Sequence, residues 1–199
     1  MNRGRNLNPM VSVGLMILLT GMSWGSALAQ TKLVQPAKGF PIIISKPGSY
    51  FLAGNLVTTQ SNFAVINVNA NNVTINLNGF TIAGPGGAGT AAKGVNAFGD
   101  SGVTVVNGTI TKIRGTAIVL GSNSTAGGVQ MINNNGDGLD CTSTCLVTNN
   151  VISGNALTGL NFSDTTSGYQ NNIINGNGAT VTSGVDMGNN VCNGSKMCP

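Results

Sequence analysis

From residue 66 onward the chain repeats a short pattern of apolar and polar positions. A small residue, an aliphatic, any residue and an apolar one recur as Gly94-Val95-Asn96-Ala97, Ala117-Ile118-Val119-Leu120, Gly138-Leu139-Asp140-Cys141, Gly159-Leu160-Asn161-Phe162 and Gly184-Val185-Asp186-Met187. Val65-Ile66-Asn67-Val68 is an earlier copy. The aliphatics at 66, 95, 118, 139, 160 and 185 step by 29, 23, 21, 21 and 25 residues. The two apolar positions of each copy lie two apart, so in a strand both point to one side. This predicts one inward column made of Val95, Ile118, Leu139, Leu160 and Val185.

Other columns run in the same phase. Ile110, Ile132, Ile152 and Ile174 step by 22, 20 and 22, and the last three are each followed three residues later by Asn135, Asn155 and Asn177. Val73-Thr74-Ile75-Asn76-Leu77 and Val103-Thr104-Val105 form a third type, 30 apart. A repeat of 20–22 residues holding two or three short strands and tight turns coils once per repeat. Successive coils stack strand on strand about 4.8 Å apart. Asn recurs at the turns because it tolerates left-handed backbone and its amide bonds the turn. Stacked Asn side chains also bond one another between coils. The expected fold is all-β, a parallel β-helix of about six coils over residues 66–191. A β-sandwich gives no reason for Asn at fixed phase, and Gly has no three-residue period, which excludes a collagen-like chain.

The ends of such a stack need closing. Phe40 to Leu56 reads as two strands around the Lys46-Pro47-Gly48 turn, so residues 30–65 are expected to cap the N-terminal end and supply the first coil. Gly84 to Lys93 (GPGGAGTAAK) reads as a loop inserted in an early coil. Residues 192–199 are expected to close the C-terminal end, tied by a disulfide.

Ahead of the repeat lies an address. Arg3 and Arg5 precede an apolar run from Met10 to Met22, and Ala27-Leu28-Ala29 fits the small-x-small cleavage rule. Residues 1–29 are read as a signal peptide with Gln30 as the first mature residue. The run is shorter than the ~20 residues that span a membrane. No span is expected in the mature chain, and the expected address is secreted or periplasmic. Formal charge falls from +4 to +2 on cleavage, seven cations against five Asp. Seven scattered cations make no basic stripe, so no nucleic-acid partner is expected. Export suits the four cysteines. Closeness in sequence favours Cys141–Cys145 and Cys192–Cys198, and neither spacing suits a zinc site.

Composition then removes chemistry. The chain has no His, and its five acids, Asp100, Asp137, Asp140, Asp164 and Asp186, include no Glu. There is no His general base and no paired-Glu glycosidase site. Gly (30) and Asn (28) together fill 58 of 199 positions, which rules out a mainly helical chain.

The segments PGSYFLAGNL and INVNANNVTINLNGFTI, followed by NGTI, NNNGDGL, NNVISGNALTGL and NGN, resemble exported bacterial proteins with right-handed parallel β-helix repeats, the pectate-lyase-like superfamily. The resemblance covers nearly all of the mature chain and implies the fold and its right-handed coil. It does not imply a reaction, because that fold carries lyases, hydrolases, epimerases and adhesins. The Gly-His-Gly and Arg-x-Lys of polygalacturonase-like hydrolases, the Arg-x-Pro-x-x-Arg of pectate lyases and the Asp-Pro-His-Glu of alginate epimerases do not occur.

Two constellations remain. Asp140, Asn161 and Asp186 are expected outward in one column on successive coils. That places the two Asp backbones about 9.6 Å apart, near the separation of inverting glycosidase carboxylates. A polar outward column is also what any soluble β-helix needs. Asp137 and Asp140 flank Gly138 in an Asn-rich turn whose oxygens suit Ca²⁺, with Lys112 and Arg114 one coil earlier. Such a cation beside such a metal suits abstraction of a uronate C5 proton; the simpler use is an Arg114–Asp137 surface ion pair. Thr74 and Thr104 form a two-member outward hydroxyl column that then breaks. The expected function is therefore a non-enzymatic exported β-helix, a surface or carbohydrate-associated binding or structural module, with polysaccharide as partner and no obligatory cofactor. The alternative is a small Ca²⁺-assisted polysaccharide lyase or glycoside hydrolase on acidic glycans, using Asp137, Asp140, Asp186 and Lys112 or Arg114.

Overall fold

The computed structural model describes residues 29–87 and 92–199. The expected signal segment up to Leu28 and the centre of the inserted loop lie outside the described residues. Among those residues there is no helix, and none long and apolar enough to cross a membrane. The chain is a parallel β-solenoid of about eight turns with three faces.

The first face stacks Ile42–Ile44, Ala64–Val68, Lys93–Ala97, Ile118–Leu120, Leu139–Cys141, Thr158–Phe162 and Ala179–Thr182. The second begins with Thr31–Leu33, Gly48–Leu52 and Val73–Asn76 and ends with Leu146–Thr148, Gly168–Gln170 and Val185–Asp186. The third begins with Leu56–Val57 and Thr81–Ala83 and ends with Val151–Ser153, Ile173–Asn175 and Val191–Cys192. Two eight-residue strands, Thr104–Thr111 and Thr125–Ile132, turn the corner between the second and third faces, so those faces join as one sheet.

Three corners per turn need three places where the backbone bends sharply, and the left-handed region supplies the bend. One corner carries positive φ at Asn72, Gly102, Asn123 and Thr144. The next carries it at Asn107, Gly128, Asn149, Asn171 and Asn189, and the last at Lys112, Asn133, Gly154, Gly176 and Asn193. Asn and Gly enter this region at least cost, which is why they dominate the composition.

The residue after the left-handed one turns inward. At the second corner these are Asn150, Asn172 and Asn190; at the third they are Asn134, Asn155 and Asn177. All but Asn177 are at most 2% exposed. The Asn155 amide is saturated. Asn155 Oδ1 accepts the backbone N–H of Asn134 at 3.1 Å and its Nδ2–H at 2.9 Å. Asn155 Nδ2 donates to Met131 O at 2.9 Å and to Asn177 Oδ1 at 2.9 Å. Buried polar groups held this way incur no orphan penalty. At the first corner Ser124 and Ser167 take the same place, accepting from Val103 N and Cys145 N.

The core runs up the axis. Ile66, Val95, Ile118, Leu139, Leu160 and Val181 are in register and at most 8% exposed. Full burial of such a side chain contributes about 1.5–3 kcal/mol. Val181, and not Val185, completes this column. Val185 lies on the second face opposite Gly168 and is 49% exposed. On the third face the inward column is Ile82, Ile110, Met131, Ile152, Ile174 and Cys192, so Met131 takes the place expected of Ile132. Asn134 likewise replaces Asn135 in the amide ladder. A one-residue slip moves a strand's whole set to the other side, and these steps of 21, 21 and 22 are the regular ones.

The N-terminal strands do not cap the stack by pairing with each other. Ile42–Ile44 pairs in parallel with Ala64–Val68, and Gly48–Leu52 with Val73–Asn76, so they are two sides of an ordinary coil. The top of the third face is closed by a side chain. Gln35 Nε2 donates to Val57 O at 2.8 Å, and Gln35 Oε1 accepts from Val57 N at 2.9 Å, as a further strand would. At the other end the chain reverses between Cys192 and Ser195. Both disulfides pair as expected, Cys141–Cys145 and Cys192–Cys198. Cys141 is inward between Leu120 and Phe162. Tyr169 stacks on Phe162 at 5.9 Å, and its hydroxyl donates to Pro199 O at 2.7 Å, anchoring the tail.

Candidate functional site

The side chains with chemistry gather on the outside of the first face. Asn67, Asn96, Val119, Asp140 and Asn161 are in register on five successive strands. Alternation places them outward, between the inward positions described above. At the start of the same strands Ala64 pairs with Lys93 and Thr158 with Ala179, and Thr116 and Asp137 continue that register on the intervening coils.

The amides of the column interlock. Asn96 Nδ2 donates to Asn67 Oδ1 at 2.8 Å, and Asn67 Nδ2 donates to Asn69 Oδ1 at 2.7 Å. Asn67 and Asn96 form the floor of a shallow groove of about 410 Å³ whose lining also includes Phe63 and Lys93. Phe63 is 56% exposed, immediately before Ala64. Phe98 is 70% exposed, immediately after Ala97. Burial first, and the neighbouring Asp137 carboxylate second, push the Asp140 carboxyl above its ordinary range; Lys93 opposes them.

The expected acidic residues do not form one site. Asp137 and Asp140 share the first face. Asp137 Oδ1 accepts the Thr158 N–H at 2.8 Å, so part of its capacity fastens the next coil. Asp186 is on the second face, opposite Tyr169 rather than in line with Asp140 and Asn161; Thr182 follows Asn161 in the column. Asp186 Oδ1 accepts from Gly188 N at 2.8 Å and Asn190 Nδ2 at 2.6 Å, ending the amide ladder. The expected spacing of Asp140 and Asp186 on one face therefore does not occur. Lys112 and Arg114 sit at the corner before the first face. Lys112 O accepts from Gly86 N, and Arg114 Nε donates to Gly86 O at 2.8 Å. Arg114 thus holds the inserted loop, where a bond to Asp137 was expected. Among the described residues no three acidic or cysteine side chains converge to hold a metal ion.

A second groove, of about 550 Å³, lies on the second face. Its floor is Leu146, Gly168, Val185 and Met187, and Thr125, Thr144 and Thr166 edge it. No charged or aromatic side chain lines it. The hydroxyl column expected of Thr74 and Thr104 is longer on this face, running Ser49, Thr74, Thr104, Thr125 before Leu146 interrupts it.

Sequence reasoning identified the outward column through Asn67, Asn96, Asp140 and Asn161. It passed over Lys93, Phe63 and Phe98. The two rings flank strand ends, outside the four-residue pattern, and their signal is position: apolar residues one step beyond a strand end, where a turn is otherwise polar. No family model matches the chain, and the comparisons with curated proteins and with solved structures found no match.

Proposed function

We propose that the protein is an exported, non-enzymatic β-helix that binds carbohydrate on the outside of its first face. The observation that carries this reading is the in-register outward column of Asn67, Asn96, Asp140 and Asn161, in which the Asn67 and Asn96 amides are pre-ordered by bonds to each other and to Asn69. Sugar hydroxyls need fixed donors and acceptors, and side chains already held in place lose little freedom on binding.

The same geometry argues against turnover. A hydrolase needs two carboxylates facing one bond. Asp186 is on another face from Asp140, and Asp137 is committed in part to the Thr158 N–H. The Arg114 guanidinium is engaged with the inserted loop. Export is supported by the signal-like residues 1–29 and by two disulfides, which persist in oxidising compartments. Kinship with the pectate-lyase-like superfamily rests on the sequence resemblance together with the solenoid fold.

The test is a glycan array probed with the labelled protein, followed by product analysis on every glycan bound, with and without Ca²⁺. Retention of glycans without new reducing ends or unsaturated products is the expected result. Release of products would replace this reading with the lyase or hydrolase. Retention of nothing would remove carbohydrate as the ligand.

A further inference from the structure

On the reading that the first face binds carbohydrate, we infer that the ligand is a neutral oligosaccharide lying along the strand direction, with one sugar stacked on Phe63 and another on Phe98. Three observations carry the assignment.

The first is the pair of rings. Phe63 and Phe98 are among the most exposed large apolar side chains of the molecule, and they border the same face on opposite sides. Phe98 continues the register of Asn69 one coil earlier, because Asn67 pairs with Asn96. From Phe63 to the position of Asn69 is six residues, about 20 Å of extended chain and room for about four sugar units. A ring at each border of a polar floor offers the flat apolar faces against which pyranose C–H groups pack. A solvated turn gains nothing from such a ring.

The second is the polarity of the floor between them. Asn67 and Asn96 each have amide capacity beyond their mutual bond. Asn96 keeps its Oδ1 lone pairs, and Asn67 keeps a second Nδ2–H, so donors and acceptors alternate across the groove. Sugar hydroxyls both donate and accept, and they match such a floor better than a carboxylate, which only accepts.

The third is charge. Lys93 lines the groove, and Asp137 and Asp140 lie two coils along the same face, where Lys93 opposes the upward push on Asp140. One cation beside two carboxylates leaves no positive field to attract an anion. A uronic-acid chain would bring further carboxylates towards Asp137 and Asp140, so uncharged sugars are the class that fits.

Calorimetric titration of the full chain with cellohexaose, xylohexaose, laminarihexaose and a hexagalacturonate tests this. Phe63→Ala and Phe98→Ala are measured beside an Ile173→Ala control, a residue 48% exposed on the third face. All three positions are exposed, so the variants should fold normally, which far-UV circular dichroism verifies. A neutral hexamer is expected to bind, and each Phe variant to weaken it about tenfold, while Ile173→Ala stays within twofold. Binding that survives loss of either ring, or that prefers the hexagalacturonate, overturns the assignment and leaves carbohydrate binding standing. Binding of no hexamer here and of no glycan on the array removes both.

Discussion

Asn155 is the place where the amide ladder is most open to test. Replacing it by Ala removes four hydrogen bonds at once: two into its Oδ1 from Asn134, and two from its Nδ2, to Met131 O and Asn177 Oδ1. Asn134 is 2% exposed, so water does not readily replace what is lost. Its backbone N–H becomes an orphan, and so does one of its amide hydrogens, since the other still reaches Ile110 O. Each orphaned buried donor costs about 1–3 kcal/mol, so the sum is about 3–4 kcal/mol. For a domain of this size that lowers the melting temperature by roughly 10 °C. Asn96→Ala is the matched control, because its amide bond to Asn67 lies on the half-buried outer surface. Its cost should stay below about 1 kcal/mol. Urea unfolding followed by far-UV circular dichroism and by tyrosine fluorescence reads both, and the two probes together check that stacked coils unfold as one unit. Equal losses in the two variants, within about 0.5 kcal/mol, would refute the claim that the buried ladder rather than the outward one holds the coils.

Other outcomes follow from the register and from charge. Val181→Asp should be severe, several kcal/mol, because it places a carboxylate against the core, whereas Val185→Asp on the exposed second face should stay within about 0.5 kcal/mol; the reverse order in thermal melts would restore Val185 to the inward column. Bonds from the Thr166 hydroxyl foremost, with Ser167 and the Thr144 N–H, hold the Asp164 carboxyl well below its ordinary range against the opposing effect of burial. Its contribution is therefore present at neutral pH and lost as pH falls below about 4, and Asp164→Asn should lower stability at pH 7 while flattening the acid limb of a stability–pH curve. Burial, then the Asp186 carboxylate, push the Tyr169 hydroxyl up to about 12, so ultraviolet titration of a Tyr50→Phe variant should show no ionisation near 10 while the fold persists. The stability tied to that shift is lost as pH rises from about 10 towards 12.

How far the sequence could be read depended on what stood at each inward position. Where Val, Ile or Leu filled it, as at Val95, Ile118, Leu139 and Leu160, phase and face were legible from spacing alone. At Met131 the neighbouring Ile132 is the better strand former and drew the column off by one, carrying Asn135 with it. The regular step of 21 was the truer guide. In the last coil Gly184-Val185-Asp186-Met187 copies the motif by chance of composition. The true strand, Ala179–Thr182, has Thr180 at the small position and no glycine to mark it. That slip also created the Asp140–Asp186 pair, which exists only in the wrong register. The doublets Asn149-Asn150, Asn171-Asn172 and Asn189-Asn190 held a signal that went unused: the first Asn bends the backbone and the second bonds along the stack. Phe63, Phe98 and Lys93 carry no periodic signal, because what matters about them is which border of a face they reach once the coils are stacked.

Backbone amide shifts of the isotope-labelled protein, followed by NMR during titration with the tightest-binding neutral hexamer, test the binding claim most directly. The shifting resonances are expected to cluster on the first face, at Phe63, Asn67, Lys93, Asn96 and Phe98, with none along the second-face groove from Leu146 to Met187. Shifts centred on that groove, or an unchanged first face at saturating ligand, would contradict it.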